Sequence, residues 1–249
     1  MITKSQVKYI QSLGQKKFRD EEAVFIAEGP KIINELLGAV PSNLVVLFAT
    51  TTWLETNASL LKHIAAADIT TVNEAALARL SSLPAPNQVI AVLKKPVYPP
   101  SIQLTGKISL MLDGIQDPGN LGTIIRTADW FGITQIICSK DCADAFAPKV
   151  IQSTMGSIIR VRLLYTDLSQ WQKQNAGPAL YAAALKGKNI YEMKPLQEGI
   201  IVIGNESKGI RKELLDLCRQ KLTIPRMGEA ESLNAAVATG ILLSHLIRP

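Results

Sequence analysis

Apolar positions along the chain alternate between short continuous runs and stripes spaced three or four residues apart, so strands and helices are expected in turn. Val7, Ile10 and Leu13 share one helical face, and Thr3 with Gln6 three residues on forms a capping-box start for that helix. A second helix carries Ile32, Ile33, Leu36 and Leu37. A strand over 44–48 follows, then a helix over 60–66 and a short strand over 69–72. Asn73 is placed to cap a helix over 74–80, and 89–93 reads as a strand. From residue 108 onward the apolar runs are stronger, predicting strands at 108–112, 135–138, 180–184, 200–203 and 221–224. Near-continuous apolar strands separated by helical stretches predict a parallel sheet covered on both faces.

Three prolines, Pro96, Pro99 and Pro100, interrupt this alternation in the run from Lys94 to Ser101, where they deny the backbone both helix and sheet bonds. The expected organisation is therefore α/β throughout: a small α/β domain over 1–95, a proline-rich linker over 96–106 and a parallel-sheet α/β domain over 107–249.

Composition agrees with a folded chain. Hydrophobic residues make up 47% of the 249 residues and charged residues 19%, enough apolar side chains for one large core or two small ones. The net charge of +6 and pI near 9.2 favour a polyanionic partner, and Lys4, Lys8, Lys16, Lys17 and Arg19 all precede the first acidic residue, Asp20. A solvated helix face is the commoner explanation of such a run. Cys138, Cys142 and Cys218 form no CxxC pair, and with only His63 and His245 no zinc site of ordinary spacing can be written, so no metal is expected. The thiols read as reduced and mostly buried. No apolar leader opens the chain, and the longest apolar stretch, 233–247, is short of the roughly 18 residues a membrane span needs. A cytoplasmic location, with no membrane partner, is the expectation.

In open parallel sheets ligands sit beyond the carboxyl ends of the strands, which directs attention to three loops. The first runs from Asp113 through Asp117, Asn120 and Gly122 to Arg126. It matches neither the dinucleotide fingerprint nor the P-loop, and its plain reading is a turn with Asn120 as helix N-cap. The second, Gly204-Asn205-Glu206-Ser207-Lys208-Gly209, brackets a carboxylate with glycines that allow close backbone approach. The third, from Ile224 through Met227 to Ser232, Leu233 and Asn234, leads into a helix of small residues, with Ser232 as its expected N-cap and Asn234 in its first turn.

Taken in order, N-L-G-T-I-I-R-T-A from Asn120, G-N-E-S-K-G from Gly204 and I-P-x-x-G-x-x-x-S-L-N from Ile224 resemble the three motifs of the SpoU family of the SPOUT superfamily. The likeness covers 107–249, and Ser153-Thr154-Met155-Gly156 resembles the family's region between its first two motifs. The opening S-L-x-x-K-K-x-R from Ser12, with Glu28-Gly29, is similar to the ribosomal-protein-like substrate-binding domain fused to such enzymes.

The resemblance implies S-adenosylmethionine as cofactor and methyl transfer to a ribose 2′-hydroxyl of RNA, rRNA in preference to tRNA. It implies cofactor contacts from Gly204, Asn205, Ile224, Met227, Ser232 and Leu233, and a reacting centre built from Asn120, Arg126, Glu206, Ser232 and Asn234. Arg126 is the family's catalytic arginine. Because a guanidinium keeps its proton, the role expected here is to hold the ribose or a phosphate and stabilise alkoxide charge, with Glu206 orienting it. The resemblance further implies a trefoil knot, which topology rules alone would not have allowed, and a homodimer. Arg226 and Glu229 to Glu231 make the third loop more charged than the family's usual loop. Two rivals stand beside this reading: transfer to a base nitrogen or to protein, and a non-catalytic RNA-binding or ribosome-assembly factor.

Overall fold

A computed structural model describes residues 2–98, 102–175 and 177–248. Pro99, Pro100 and Ser101 of the expected linker lie outside the described residues, as do the end residues Met1 and Pro249. The chain forms two compact units, one of Met1–Val97 with Phe146–Ile159, the other of Tyr98–Ala145 with Arg160–Pro249.

The first unit opens with α1 (Lys4–Ser12), whose Thr3 hydroxyl accepts from the Gln6 N–H while the Gln6 side chain accepts from the Thr3 N–H, the expected capping box. After α2 (Lys16–Glu21) come β1 (Val24–Glu28), α3 (Pro30–Ala39), β2 (Leu44–Ala49), α4 (Thr51–Thr56), β3 (Ile69–Thr71), α5 (Glu74–Leu80) and β4 (Val89–Lys94). The four strands lie in the order β1-β4-β2-β3, with only the β2–β3 pair parallel. Ile10, Leu13, Phe48, Leu77, Ile90 and Val92 meet in its core.

Two expectations change here. The helix foreseen over 60–66 lies earlier, at α4, because Thr50 caps it at the Trp53 N–H, Trp53 buries its indole, and Asn57 closes it by donating to the Trp53 carbonyl. Residues 57–63 are turns instead. Arg19 leaves the basic run. It is buried, and its guanidinium donates to the carbonyls of Leu13 and Gly14 at 2.7 and 2.8 Å, closing the corner between α1 and α2. Lys4, Lys8, Lys16 and Lys17 remain exposed.

The second unit is built on β5 (Ile108–Asp113), α6 (Pro118–Trp130) and β6 (Gln135–Ser139). The chain then enters the first unit, where α7 (Pro148–Thr154) packs on β1. It returns for β7 (Arg162–Thr166), α8 (Leu168–Gln174), β8 (Leu180–Asn189), β9 (Gly199–Gly204), α9 (Lys212–Leu215), β10 (Gln220–Thr223) and α10 (Ala235–Leu246). All six strands are parallel, in the order β10-β8-β9-β5-β6-β7, as the apolar runs imply. Asp113 and Gly204 stand side by side at the carboxyl ends of the two central strands. Pro118 at the first turn fixes the start of α6, and Leu121, Ile124, Ile125 and Ala128 bury one of its faces. Small residues bring α10 against α6, with Gly240 facing Thr127.

Candidate active site

The three loops singled out by the sequence converge at the carboxyl edge of the parallel sheet, and a chain of side-chain amides joins them. Asn234 is the N-cap of α10. Its Oδ1 accepts from the N–H groups of Ala236 and Val237 at 2.9 and 3.3 Å. With its oxygen so used, its Nδ2 points outward and donates to Asn120 Oδ1 at 2.8 Å. Asn120 in turn has only its Nδ2 to offer, and this donates to Glu206 Oε1. The amide directions are therefore set from the helix terminus onward, and the chain ends on a carboxylate, the partner that makes such a bond strongest.

Each member owes its place to local structure. Asp117, not Asn120, caps α6: its carboxylate accepts from the Asn120 N–H at 2.7 Å, which frees the Asn120 side chain for the chain just described. Likewise Asn234 caps α10 and Ser232 does not. Ser232 and Leu233 are exposed in the approach to the helix. Both expected caps were misplaced by a few residues because several cap-forming residue types stand close together in each loop.

The loop from Gly204 to Gly209 is folded on itself. The N–H of Asn205 donates to the Gly209 carbonyl and the N–H of Gly209 to the Asn205 carbonyl, at 3.1 and 2.8 Å. Asn205 Oδ1 accepts from the N–H groups of Ser207 and Lys208. Its Nδ2 donates to the Gly114 carbonyl at 2.9 Å, tying the second loop to the first. Gly204 is required by contact rather than by torsion: a Cβ there would lie 2.4 Å from the Gly209 carbonyl carbon. Gly114 takes a left-handed φ of +71°, which turns the chain off β5, and its N–H donates to Ser139 Oγ.

Arg126 stands apart from this network. It is exposed on α6, and its guanidinium makes no hydrogen bond or ion pair among the described residues. Glu206 meets Asn120 in the first turn of α6, whereas Arg126 lies six residues further on, about 9 Å along a helix axis. The expected Glu206–Arg126 pairing is thus replaced by Glu206–Asn120. Ile224 is half-buried directly after β10, and Met227 and Leu233 are exposed large apolar residues, Met227 at 98%. Arg226 donates to the Ala230 carbonyl, folding its own charged loop.

The sequence reading missed two contributors. Between Lys221↔Ala182 and Leu222↔Lys188 the pairing of β8 with β10 jumps, so β8 makes an excursion at its carboxyl end, between the strands that lead into the second and third loops. Leu185 is exposed there at 76%, and its carbonyl accepts from Thr223 Oγ1. The near-continuous apolar start of β8 gave no sign of this excursion. The second is Asp113. It is 2% exposed, and burial pushes its carboxyl upward from the usual carboxylate range, against the opposing pull of Arg211.

Cys138, Cys142 and Cys218 are free thiols. Cys142 Sγ accepts from the Ile115 N–H at 3.3 Å; hydrogen bonding from Cys138 first, then from Ser139 and nearby backbone, brings its pKa down to about 7. Among the described residues no cluster of acidic, histidine or cysteine side chains could hold a metal ion, and no helix is long and apolar enough to cross a membrane.

Comparison with known proteins agrees with the arrangement. The SpoU rRNA methylase family pattern matches residues 107–244, and the MRM3-like substrate-binding domain matches residues 4–91. A 23S rRNA (guanosine(2553)-2′-O)-methyltransferase of Bacillus subtilis is 30% identical over 97% of this chain and 95% of its own length. An uncharacterised tRNA/rRNA methyltransferase of Synechocystis is also 30% identical, over 97% of this chain and 91% of its own. The AdoMet-bound structure of an rRNA methyltransferase from Sinorhizobium meliloti superposes with a TM-score of 0.83 at 30% identity, covering 99% of this chain and 95% of that one. By motif order, fold and full-length similarity, the chain belongs to the SpoU rRNA methylase family.

Proposed function

We propose that the protein transfers a methyl group from S-adenosylmethionine to a ribose 2′-hydroxyl of RNA, with rRNA as the favoured substrate. The observation that carries this reading is the Asn234–Asn120–Glu206 chain, which joins three polar loops at the carboxyl edge of a parallel sheet. The rRNA preference rests on the Bacillus subtilis relative and on the separate N-terminal unit with its exposed lysines. The alternative, a tRNA ribose, is kept by the Synechocystis relative, whose description covers both RNAs.

The residues present suit the cofactor. Leu185 on β8, Met227 shortly after β10 and Leu233 just ahead of α10 are large apolar side chains left exposed, the kind of surface that the partly apolar adenosyl group would cover. Gly204, Asn205, Ile224 and Ser232 offer backbone and short polar groups on the second and third loops. When bound, S-adenosylmethionine supplies an electrophilic methyl on a sulfonium. The chain's own work is placement, and holding a nucleophile at attack distance is worth about 7–11 kcal/mol in well-oriented pairs. The Asn120 amide, held at both ends, presents a fixed surface to the ribose. Arg126, exposed and charged, is free to engage a phosphate or the 2′-oxygen as negative charge grows on it. The same reading carries a homodimer, supported by the exposed Trp130 on α6 and Val237 on α10, a trefoil knot and a cytoplasmic location.

Transfer of labelled methyl from S-adenosylmethionine to total RNA, followed by mapping of ribose methylation, tests the reaction and the substrate. Label on a base nitrogen or on protein sinks the ribose assignment. Arg126→Ala is expected to keep cofactor affinity and to lose transfer by about 100-fold or more, the scale of one transition-state donor. A collapse of cofactor affinity with turnover surviving at saturation would reverse that role.

A further inference from the structure

One charged cluster at the site's edge takes no part in the reading above. Asp113 ends β5, buried to 2% exposure. Its Oδ2 accepts from the backbone N–H of Arg211 at 2.7 Å, and its Oδ1 has only the Arg211 Nε at 3.4 Å. The far end of the same guanidinium pairs with Asp141 just beyond β6. Asp141 is fixed by the Ser139 hydroxyl at 2.6 Å, and Ser139 also accepts from the Gly114 N–H. Arg211 therefore ties together the carboxyl ends of three adjacent strands, β9, β5 and β6.

An isolated buried carboxylate is costly, and pairing it with a half-exposed arginine recovers only part of that cost. Stability alone does not account for keeping it. What the cluster does achieve is geometric. The loop after β9 is pinned at the end of β5 at two points, the Asn205 side chain on the Gly114 carbonyl and the backbone N–H of Arg211 on Asp113, the latter steadied by the Arg211 guanidinium against Asp113 and Asp141, and Glu206 lies between them in sequence. The Asn205 pin sits beside Glu206; the Arg211 pin closes the far end.

We propose that Arg211, anchored on Asp113, is a positioning residue for methyl transfer: it closes the loop after β9 against β5 and so keeps Glu206 on Asn120. The role rests on the methyl-transfer reading, since the contact it preserves is the one that orients the Asn120 amide. Lysine in its place keeps the charge but not the two-sided reach of a guanidinium.

The test combines a kinetic cycle with an activity-independent readout. Arg211→Gln is expected to lower kcat about tenfold or more, with KM for RNA and cofactor affinity within about threefold, because Asn205 keeps its own tie. Arg211→Lys should recover part of the loss. In a Glu206→Ala background the same Arg211→Gln change should cost less than about twofold, since both act through one contact. In the variant, hydrogen exchange of the residue-211 amide, whose bond to Asp113 the guanidinium steadies, should rise about tenfold or more while that of Ile201 to Ile203 stays unchanged. An equal loss in both backgrounds, or unchanged loop exchange, overturns the proposal. If the wild-type protein transfers no methyl to RNA, the functional reading fails and exchange alone decides: a confined rise keeps the loop anchor, and no rise removes it.

Discussion

Asp113 illustrates how one side chain can serve a site at the expense of the fold. Burial raises its pKa, the Arg211 N–H and guanidinium opposing, so in the native state its proton is held more tightly than in the unfolded chain. A carboxyl shifted upward opposes folding while it is charged, and that opposition fades as pH falls through its native value and is gone below the ordinary 3.8. Asp113→Asn keeps an acceptor for the Arg211 N–H and removes the buried charge. Its melting temperature near neutral pH is expected to be no lower than that of the wild type, with the two curves meeting in acid. A drop of several degrees at neutral pH would mean that the ion pair outweighs desolvation. Asp141 runs the opposite way. The Ser139 hydroxyl, ahead of Arg211, lowers its pKa, so its contribution is present above the ordinary range and lost as pH falls through its native value. Its exposure keeps that contribution small.

At the scale of elements, helix starts do double duty. The oxygen of Asn234 caps α10 and its nitrogen holds Asn120, so the two roles can be separated by substitution. Asn234→Ala should cost about 1 kcal/mol of stability as a lost cap, together with transfer activity. Asn234→Asp keeps a good cap and loses the donor. Thermal melting should find it near the wild type, and methyl transfer should find it impaired. Equal activity in the Asp variant would show the Asn234–Asn120 bond to be dispensable. Which elements could be read from the sequence follows the same division between local and distant causes. The Thr3–Gln6 capping box, Asn73 ahead of α5 and the continuous strands of the parallel sheet depend on neighbours in sequence, and all were legible. β1, though wholly buried, leaves little signal because only six residues separate charged Asp20–Glu22 from Gly29; β7, an edge strand with every residue half-buried, shows no clear stripe. Asp117 rather than Asn120 is the cap because the helix starts at Pro118, which leaves the Asn120 N–H free for the Asp117 carboxylate. Residues 98 and 86 apart make the Arg211–Asp113 and Glu206–Asn120 contacts, and no pattern of spacing encodes either.

For the whole molecule, the order of the motifs proved more informative than any one of them. Each loop has an ordinary capping or turn explanation, and two of those explanations hold for the actual structure, with the capping residue moved. Convergence on one sheet edge is what brings Asn120, Glu206 and Asn234 into a single hydrogen-bonded chain, while Arg126 lies outside it. The moderate positive charge, by contrast, is spread over both units and identifies no partner by itself.

The chain passes between the two units three times, at Val97/Tyr98, Ala145/Phe146 and Ile159/Arg160, and this bears on any attempt to dissect it. Cutting at the proline-rich run to isolate 107–249 leaves the catalytic motifs intact but carries along Phe146–Ile159, stripped of the strand on which α7 packs. Val150, Ile151 and Ile158, all buried in the full chain, lose their cover. Limited proteolysis should nick the fragment within that segment and spare it in the full-length protein. A fragment as resistant there as the whole would mean that the segment finds its shelter elsewhere. The two units are thus interleaved along the chain, and separating them takes three cuts and a rejoining on each side.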